Sequence, residues 1–441
     1  MNLNELSARL ENKSAKLAVI GQGYVGLPVA ALFADKGFDV LGVDVLPERV
    51  AKINKGLNPI EGKEPGLAEL LKTVVASGRL RATTDYNELA DRDAFILAVE
   101  TPVDDNHIPR YEALRAALSS LAGVMKDGAL VIVESTIAPR TMHDLVLPLL
   151  EEKSGKKLNE GFYLGNCPER VMPGKLLKNL RTMSRVVGGM TPETSETMIA
   201  LYKNIVEADL DPADCITAEL VKTVENAYRD VQIAFANEVA LVAEAAGGDV
   251  WKVRELVNKS PQRQMHLPGA GVGGHCIPKD PWLLVHGAEE KGVRLRLIPA
   301  AREINDSMPL HMVKLLVNAL AKAGKPILDA RIAVLGYSYL EDSDDTRNSP
   351  TRSLVARLYE LGAEPVIHDP WIPEYNHDVY ERVKGCDAAV VMVAHSEYKT
   401  IDLNRFKAGL RYPILVDGRK VYDHGAAADA GLQFFYGVGK G

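Results

Sequence analysis

Cysteine is scarce: four residues, at 167, 215, 276 and 386, in a chain of 441. They form no CxxC pair and no Cys/His zinc spacing, so neither a disulfide framework nor a bound metal is expected. Long apolar runs are missing too. No stretch approaches the roughly 20 residues that span a bilayer, and no membrane partner is expected. Basic charge is not in excess: 52 Lys and Arg stand against 59 Asp and Glu, for a net charge of −7. That balance gives no reason to expect nucleic acid or an anionic lipid surface as a partner. A low-complexity linker is absent as well. Residues Met1 to Ser14 mix Glu, Arg, Asn and Lys, and read as a short amphipathic helix, not a secretory signal. A reducing cytoplasm is the expected compartment.

What is present is ordinary for a globular protein, 46% hydrophobic and 25% charged. The length exceeds what one core organises and implies two to three domains. Near the start, Lys16 to Ile20 (KLAVI) is a short apolar run followed at once by Gly21-Gln22-Gly23-Tyr24-Val25-Gly26 and an Ala/Leu-rich helical stretch to Asp35. Strand, GxGxxG and helix stand in the order of a dinucleotide fingerprint. Its glycines permit a tight turn, backbone approach to a pyrophosphate and close helix packing. A second apolar run, DVLGV, ends in Asp44, 18 residues after Gly26. An acid there can bind both ribose hydroxyls and repels a 2′-phosphate, so NAD is favoured over NADP.

The alternation continues with DAFILAV (93–99) and ALVIV (129–133), ending in Glu100-Thr101-Pro102 and Glu134-Ser135-Thr136. Ligands in parallel sheets lie beyond the carboxyl ends of the strands, so Thr101 and Thr136 are candidate cofactor contacts; capping of the next helices is the plainer alternative. Further strands are expected near 162–164 and 185–187. Between them, Glu169 and Arg170 sit in a Pro-bounded loop, as a surface ion pair or as a substrate clamp with a general base. From Pro212 to Ala246 the sequence reads as one long helix, with Lys222, Asn226 and Arg229 or Asp230 at helical spacing on a face. Leu220, Val224, Val231, Phe235 and Val239 supply apolar faces, and a helix of this length suits dimerisation. Residues 330–335, 351–361 and 364–369 repeat strand, turn, helix, strand and acid, without GxGxxG. This second α/β unit is not expected to bind a dinucleotide tightly. The acidic loop Glu341 to Asp345, leading to Arg347 and Asn348, is poorly explained as packing.

Between these regions stands Gly273-Gly274-His275-Cys276-Ile277-Pro278-Lys279-Asp280-Pro281. Gly and Pro make it a loop, and its charges disfavour burial. A cysteine beside cationic groups favours the thiolate. With NAD, a thiolate is useful when an aldehyde must be carried on to an acid. It adds to the aldehyde, hydride leaves, and water cleaves the resulting thioester. A lysine stabilises the oxyanion and a carboxylate activates water.

Taken together, GQGYVGLP, the Thr101 and Thr136 turns, CPERVMPG, AELVKTVENAYRD, GVGGHCIPKDPW and SDDTRNSPT resemble the UDP-glucose/UDP-N-acetylmannosamine 6-dehydrogenase family over roughly residues 16 to 425. Within it, CPERVMPG and the following RVVGG are most similar to the UDP-N-acetyl-D-mannosamine branch. The resemblance implies an α/β fold of two Rossmann-like doubly wound domains joined by a central helical domain with a long helix. Residues 1–210 would bind NAD, 211–310 would carry catalysis and dimerisation, and 311–441 would bind the UDP-sugar. It implies Cys276 as nucleophile, Lys222 as oxyanion or proton partner with Asn226 beside it, Asp280 orienting water and lysine, and Glu169 as base. NAD would meet Gly21, Gly23, Tyr24, Val25, Gly26, Asp44, Arg49, Thr101, Thr136 and Arg347. A UDP-N-acetyl-hexosamine would meet Arg170, Val171, Lys222, Asn226, Arg229, Arg263, His266, Gly273 and Arg419.

The implied reaction is the four-electron oxidation of the sugar C6 hydroxyl to a uronate, serving polysaccharide biosynthesis, in a homodimer or higher homo-oligomer. Many relatives carry Phe-Lys where this chain has Tyr339-Leu340, so no charge role is carried over there. The same chemistry on UDP-N-acetylglucosamine or UDP-glucose, a single-step hydroxyacid-type dehydrogenase, and a non-catalytic nucleotide-sugar sensor are the alternatives.

Overall fold

Alternating side chains of KLAVI fall on opposite faces of a strand, and both faces are apolar, so the strand is buried from two sides. In the computed structural model, which describes residues 1–60, 62 and 64–440, this strand is β1 (Lys16–Ile20). Leu17 and Val19 enter one core cluster, Ala18 and Ile20 the other. Fully burying such a side chain contributes about 1.5–3 kcal/mol, so the central strands anchor the fold. Around β1 lie β2 (Asp39–Val43), β3 (Leu80–Thr83), β4 (Ala94–Leu97), β5 (Ala129–Val133), β6 (Phe162–Asn166), β7 (Arg185–Gly189) and β8 (Leu210–Asp214). Their order is β3-β2-β1-β4-β5-β6-β7-β8, with only the β6–β7 pair antiparallel. The order reverses at β1/β4, where a doubly wound sheet opens its ligand crevice.

A second sheet holds β9 (Arg331–Leu335), β10 (Glu364–His368), β11 (Ala388–Val391), β12 (Ile414–Asp417) and β13 (Phe434–Gly437), all parallel, in the order β10-β9-β11-β12-β13. Ile332 and Val334 of β9 face one core, Ala333 and Leu335 the other. The expected α/β architecture of two doubly wound sheets with helices between them is what the chain forms. It divides into two compact units, Met1–Glu225 with Trp282–Arg294, and Asn226–Pro281 with Leu295–Gly441.

The expected N-terminal helix forms at Leu3–Glu11, capped by Asn2, with Leu6 and Leu10 buried. One boundary differs from expectation. The long helix runs Cys215–Ala246, and Pro212 belongs to β8. β8 is a sheet edge, where a residue without N–H is tolerated. Along the helix, Leu220, Val224, Tyr228, Phe235 and Val242 are exposed at helical spacing, while Val231 and Val239 are half-buried. Among the described residues, no helix is long and apolar enough to cross a membrane, and no His/Cys/Asp/Glu group is clustered to hold a metal ion.

Candidate active site

In the first unit the turn after β1 is shaped by its glycines. Gly21 has φ +90°, and its N–H donates to Val43 O at 2.8 Å. A Cβ on Gly26 would stand 1.9 Å from Gly21 O, so the helix Gly26–Asp35 packs too closely for any side chain there. At Gly23 nothing lies within 4 Å of that position, and no side chain caps the helix at Val25. Open backbone and an uncapped helix N-terminus are what a pyrophosphate requires. Asp44, ending β2, accepts Gln22 N at 2.9 Å and Arg49 Nη1 at 2.9 Å on one oxygen, and Leu46 N at 3.0 Å on the other. The residues thus fit a dinucleotide, with Gly21, Gly23, Tyr24, Val25 and Gly26 on the turn, and Asp44, paired with Arg49, bonded to it from the end of β2. Thr101 donates its hydroxyl to Thr136 O at 2.6 Å, joining the ends of β4 and β5 instead of capping a helix.

The CPERVMPG loop lies in the same unit. Glu169 is buried, and its Oε2 accepts Val171 N at 2.5 Å. Its Oε1 stands 4.0 Å from Lys222 Nζ, itself buried on the long helix. Both groups are buried, so this is not a surface ion pair. Arg170 turns away from Glu169, donating to Ser184 O and Oγ and pairing with Glu225 at 2.5 Å.

In the second unit Cys276 heads a tight turn. The N–H groups of Lys279 and Asp280 donate to Cys276 O at 3.0 and 2.8 Å, leading into the helix Asp280–Glu289. Cys276 is half-exposed, whereas Cys167, Cys215 and Cys386 are buried. Burial pushes the Cys167 and Cys386 thiols up to about 12 and about 11, and the Cys215 thiol higher still. Cys276 is thus the one cysteine of the four that is not buried, and accessibility is what a nucleophile requires. Asp280 is buried, accepting Asn226 Nδ2 at 2.6 Å while Lys279 Nζ stands 2.9 Å from its other oxygen.

The turn is buttressed from beyond β9. Gly274 N donates to Arg347 O at 2.9 Å, and Asn348 Nδ2 donates to Gly274 O at 3.0 Å. Tyr339 packs so closely that a Cβ on Gly273 or Gly274 would stand 2.6 or 2.7 Å from it. The residues flanking the acidic loop, Tyr339 before it and Arg347 and Asn348 after it, therefore seat the thiol-bearing turn. Arg347 grips Asp345 through Nε (3.0 Å) and Nη2 (2.6 Å). Arg419 donates to Met392 O and Gly271 O at 2.8 and 2.9 Å, fixing the approach to the turn. His266 is held below its ordinary value by burial and by the fields of Arg229 and Arg254. Arg229 and Arg263 are exposed, and on the long helix it is buried Asp230, paired with Arg302 at 2.6 Å, that continues the inward line of Lys222 and Asn226.

Sequence reasoning passed over Glu64, Glu219 and the partnership of Lys279 with Asp280. Glu219 accepts Arg140 N and Met142 N, both at 2.7 Å, and so shapes the segment after Thr136. Arg140 has φ +74°, a backbone signal invisible in the sequence.

A doubly wound sheet with an open glycine turn and an acid closing its second strand is the frame of an NAD-dependent dehydrogenase, and this chain is one. Three family models match in order: the NAD binding domain of the UDP-glucose/GDP-mannose dehydrogenase family at residues 15–206, its central domain at 216–307 and its UDP binding domain at 333–424. The chain belongs to the UDP-glucose/GDP-mannose dehydrogenase family, and is a nucleotide-sugar dehydrogenase using NAD. It is similar to the UDP-N-acetyl-D-mannosamine dehydrogenase of Pyrococcus horikoshii, 39% identical over 427 residues, 97% of this chain and 99% of that protein. A solved structure of the P. horikoshii UDP-D-ManNAc dehydrogenase matches with a TM-score of 0.90, over 97% of this chain and 99% of that one. That of the NDP-N-acetyl-D-galactosaminuronic acid dehydrogenase from Methanosarcina mazei Go1 matches at 0.88, with 35% identity, over 100% of this chain and 98% of that one.

Proposed function

We propose that this protein oxidises the C6 hydroxyl of UDP-N-acetyl-D-mannosamine to UDP-N-acetyl-D-mannosaminuronate without releasing the aldehyde. The observation that carries the sugar assignment is the 39% identity, over almost both full lengths, to a protein named for that substrate. Bound NAD supplies the hydride acceptor, taken up twice per sugar. Lys222, with Glu169 4.0 Å away, takes the proton of the C6 hydroxyl as hydride leaves that carbon. The Cys276 thiolate then forms a C–S bond to the aldehyde carbon, and Lys222 and Asn226 stabilise the oxyanion. Loss of the second hydride leaves a thioester on Cys276. Glu169 draws a proton from water, whose oxygen attacks the thioester carbon; the C–S bond breaks and the thiolate is regenerated. Asp280 orients the water and the amide of Asn226, to which it is bonded. The balance is one alcohol, two NAD⁺ and one water giving one carboxylate, two NADH and three protons.

In this reading residues 1–210 hold NAD, 211–310 carry the catalytic groups and 311–441 grip UDP through Arg419. Arg170, Val171, Arg229, Arg263, His266 and Gly273 hold the sugar nucleotide. Two copies pair through the exposed stripe Leu220–Val242, since such an apolar face suits a partner helix. The enzyme works in the cytoplasm and supplies uronate units for polysaccharide assembly. A galacto-configured acetamido sugar is the second reading, favoured by the match to the Methanosarcina mazei structure.

The deciding experiment measures NADH formed per sugar with UDP-N-acetyl derivatives of mannosamine, glucosamine and galactosamine, and with UDP-glucose. Two NADH per UDP-N-acetylmannosamine are expected, with Cys276→Ser blocking the second oxidation. Absence of turnover with the manno sugar beside turnover of another sinks the assignment.

A further inference from the structure

Glu64 lies between the helices Pro47–Asn54 and Leu67–Ala76, outside every motif of the sequence. Its carboxylate is nonetheless where two functional segments of the first unit meet. Oε1 accepts the Tyr24 hydroxyl from the GQGYVG turn and the Gly174 amide, at 2.7 Å, from the CPERVMPG loop. Oε2 accepts the Leu176 amide at 3.2 Å. Gly174 is in the left-handed region, with φ +74°, which glycine adopts without steric cost, so the chain turns sharply where its amide meets Glu64. The other end, Glu169 to Val171, carries the candidate base and substrate contacts.

We propose that Glu64 is a positioning residue that couples occupancy of the dinucleotide turn to the order of the substrate loop 169–176. The inference rests on reading Tyr24 as a cofactor contact and this loop as a substrate contact. A Tyr24 ring held against a bound dinucleotide keeps its hydroxyl in place. The hydroxyl fixes the Glu64 carboxylate, and the carboxylate presents its oxygens to the two loop amides. The chemistry calls for a carboxylate in particular, because three donors converge and an ionised carboxylate is acceptor-only on both oxygens. Glutamine offers one acceptor oxygen and turns an N–H toward an N–H. Charge-assisted bonds of this kind are the strong ones, so losing the arrangement weakens loop order by about tenfold or more.

The test uses the full-length protein and its Glu64→Gln, Tyr24→Phe and double variants. NADH serves as the cofactor, since it accepts no hydride and the sugar nucleotide stays intact. Two readouts are taken: hydrogen exchange at the Gly174 and Leu176 amides, and the dissociation constant of UDP-N-acetylmannosamine, each with and without NADH. In the wild type NADH slows exchange at both amides and tightens the sugar nucleotide. In Glu64→Gln both responses shrink by about tenfold, Tyr24→Phe moves the same way, and the double variant is no worse than Glu64→Gln. In turnover, the loss falls on KM more than on kcat. Unaltered NADH-dependent exchange in Glu64→Gln overturns the proposal. So does a lowered Tm in which kcat and KM worsen together while the coupling persists, since that is a purely structural role. If the wild type binds no UDP-sugar, the functional reading falls, and NADH-dependent exchange still decides the role of Glu64.

Discussion

The two Rossmann turns begin alike and end differently. Gly21 N donates to Val43 O at 2.8 Å, and Gly336 N donates to His368 O at 2.8 Å; both glycines have positive φ, +90° and +93°. An acid after the second strand then accepts amides of the turn, Asp44 from Gln22 and Asp369 from Tyr337 and Ser338. From there the first turn opens. Its helix starts at Gly26 without a side-chain cap, and Gly23 faces free space. The second turn closes. Residues 339–349 intervene before the helix at Pro350, Ser349 caps that helix through Thr351 N, and Thr351 donates its hydroxyl to Gly336 O. His395, fully buried, stands 3.1 Å from Asp369 through Nε2 and accepts Asp342 N on Nδ1 at 2.9 Å, fixing the acidic loop over the turn. One supersecondary unit thus makes a phosphate cradle when left bare and a structural plug when filled. In this chain the plug faces the thiol-bearing turn.

The largest effect is expected from unplugging the second turn. Asp369→Asn weakens its acceptance of three amides and its pair with His395, which destabilises the second unit by about 2–4 kcal/mol. NAD affinity stays at the wild-type value. Chemical denaturation followed at tryptophans, beside NAD titration, checks both halves; a loss of NAD affinity would erase the distinction between the turns. Next comes Gly23→Ala, which meets no atom within 4 Å in the protein. It leaves Tm within about a degree yet weakens NAD by about tenfold, as a methyl intrudes where the pyrophosphate approaches. Calorimetric titration reads the second quantity and scanning calorimetry the first.

The last effect, spread over several pH units, is a difference in pH response. Burial raises the Glu219 carboxyl from its ordinary 4.5 to about 7, against the Met142 and Arg140 amides that favour the anion. The fold therefore prefers this acid protonated. Stability of the first unit falls as pH rises from 4.5 toward 7, by up to about 3 kcal/mol, and is level above. Asp369 is opposite: burial would raise it, but the His395 ring and two turn amides outweigh burial and hold it below its ordinary 3.8. Its contribution is present above 3.8 and is lost only as pH drops through that lower value. Hydrogen exchange of each unit between pH 4 and 8 checks the contrast, and Glu219→Gln should flatten the first profile alone.

The central strands, the fingerprint turn, Asp44 and the cysteine turn were legible because each rests on local pattern: apolar runs, glycine spacing and a Pro-bounded thiol. The strands that escaped notice, Leu80–Thr83, Leu210–Asp214 and Phe434–Gly437, all lie at sheet edges. There one side is unpaired, and short, charged or proline-bearing segments are tolerated. Glu64 and Glu219 were illegible for another reason. Their partners lie 40 to 112 and 77 to 79 residues away in sequence, so no spacing announces them. The acidic loop was seen as odd and left unexplained, since its role depends on Gly274, far earlier in the chain.

That last contact sets an order of manufacture. Cys276 leaves the ribosome 72 residues before Asn348, whose amide nitrogen together with the carbonyl of Arg347 holds Gly274. During that interval the nascent chain carries an accessible cysteine on a turn without its seat. The candidate nucleophile is therefore made first, and its turn is seated last.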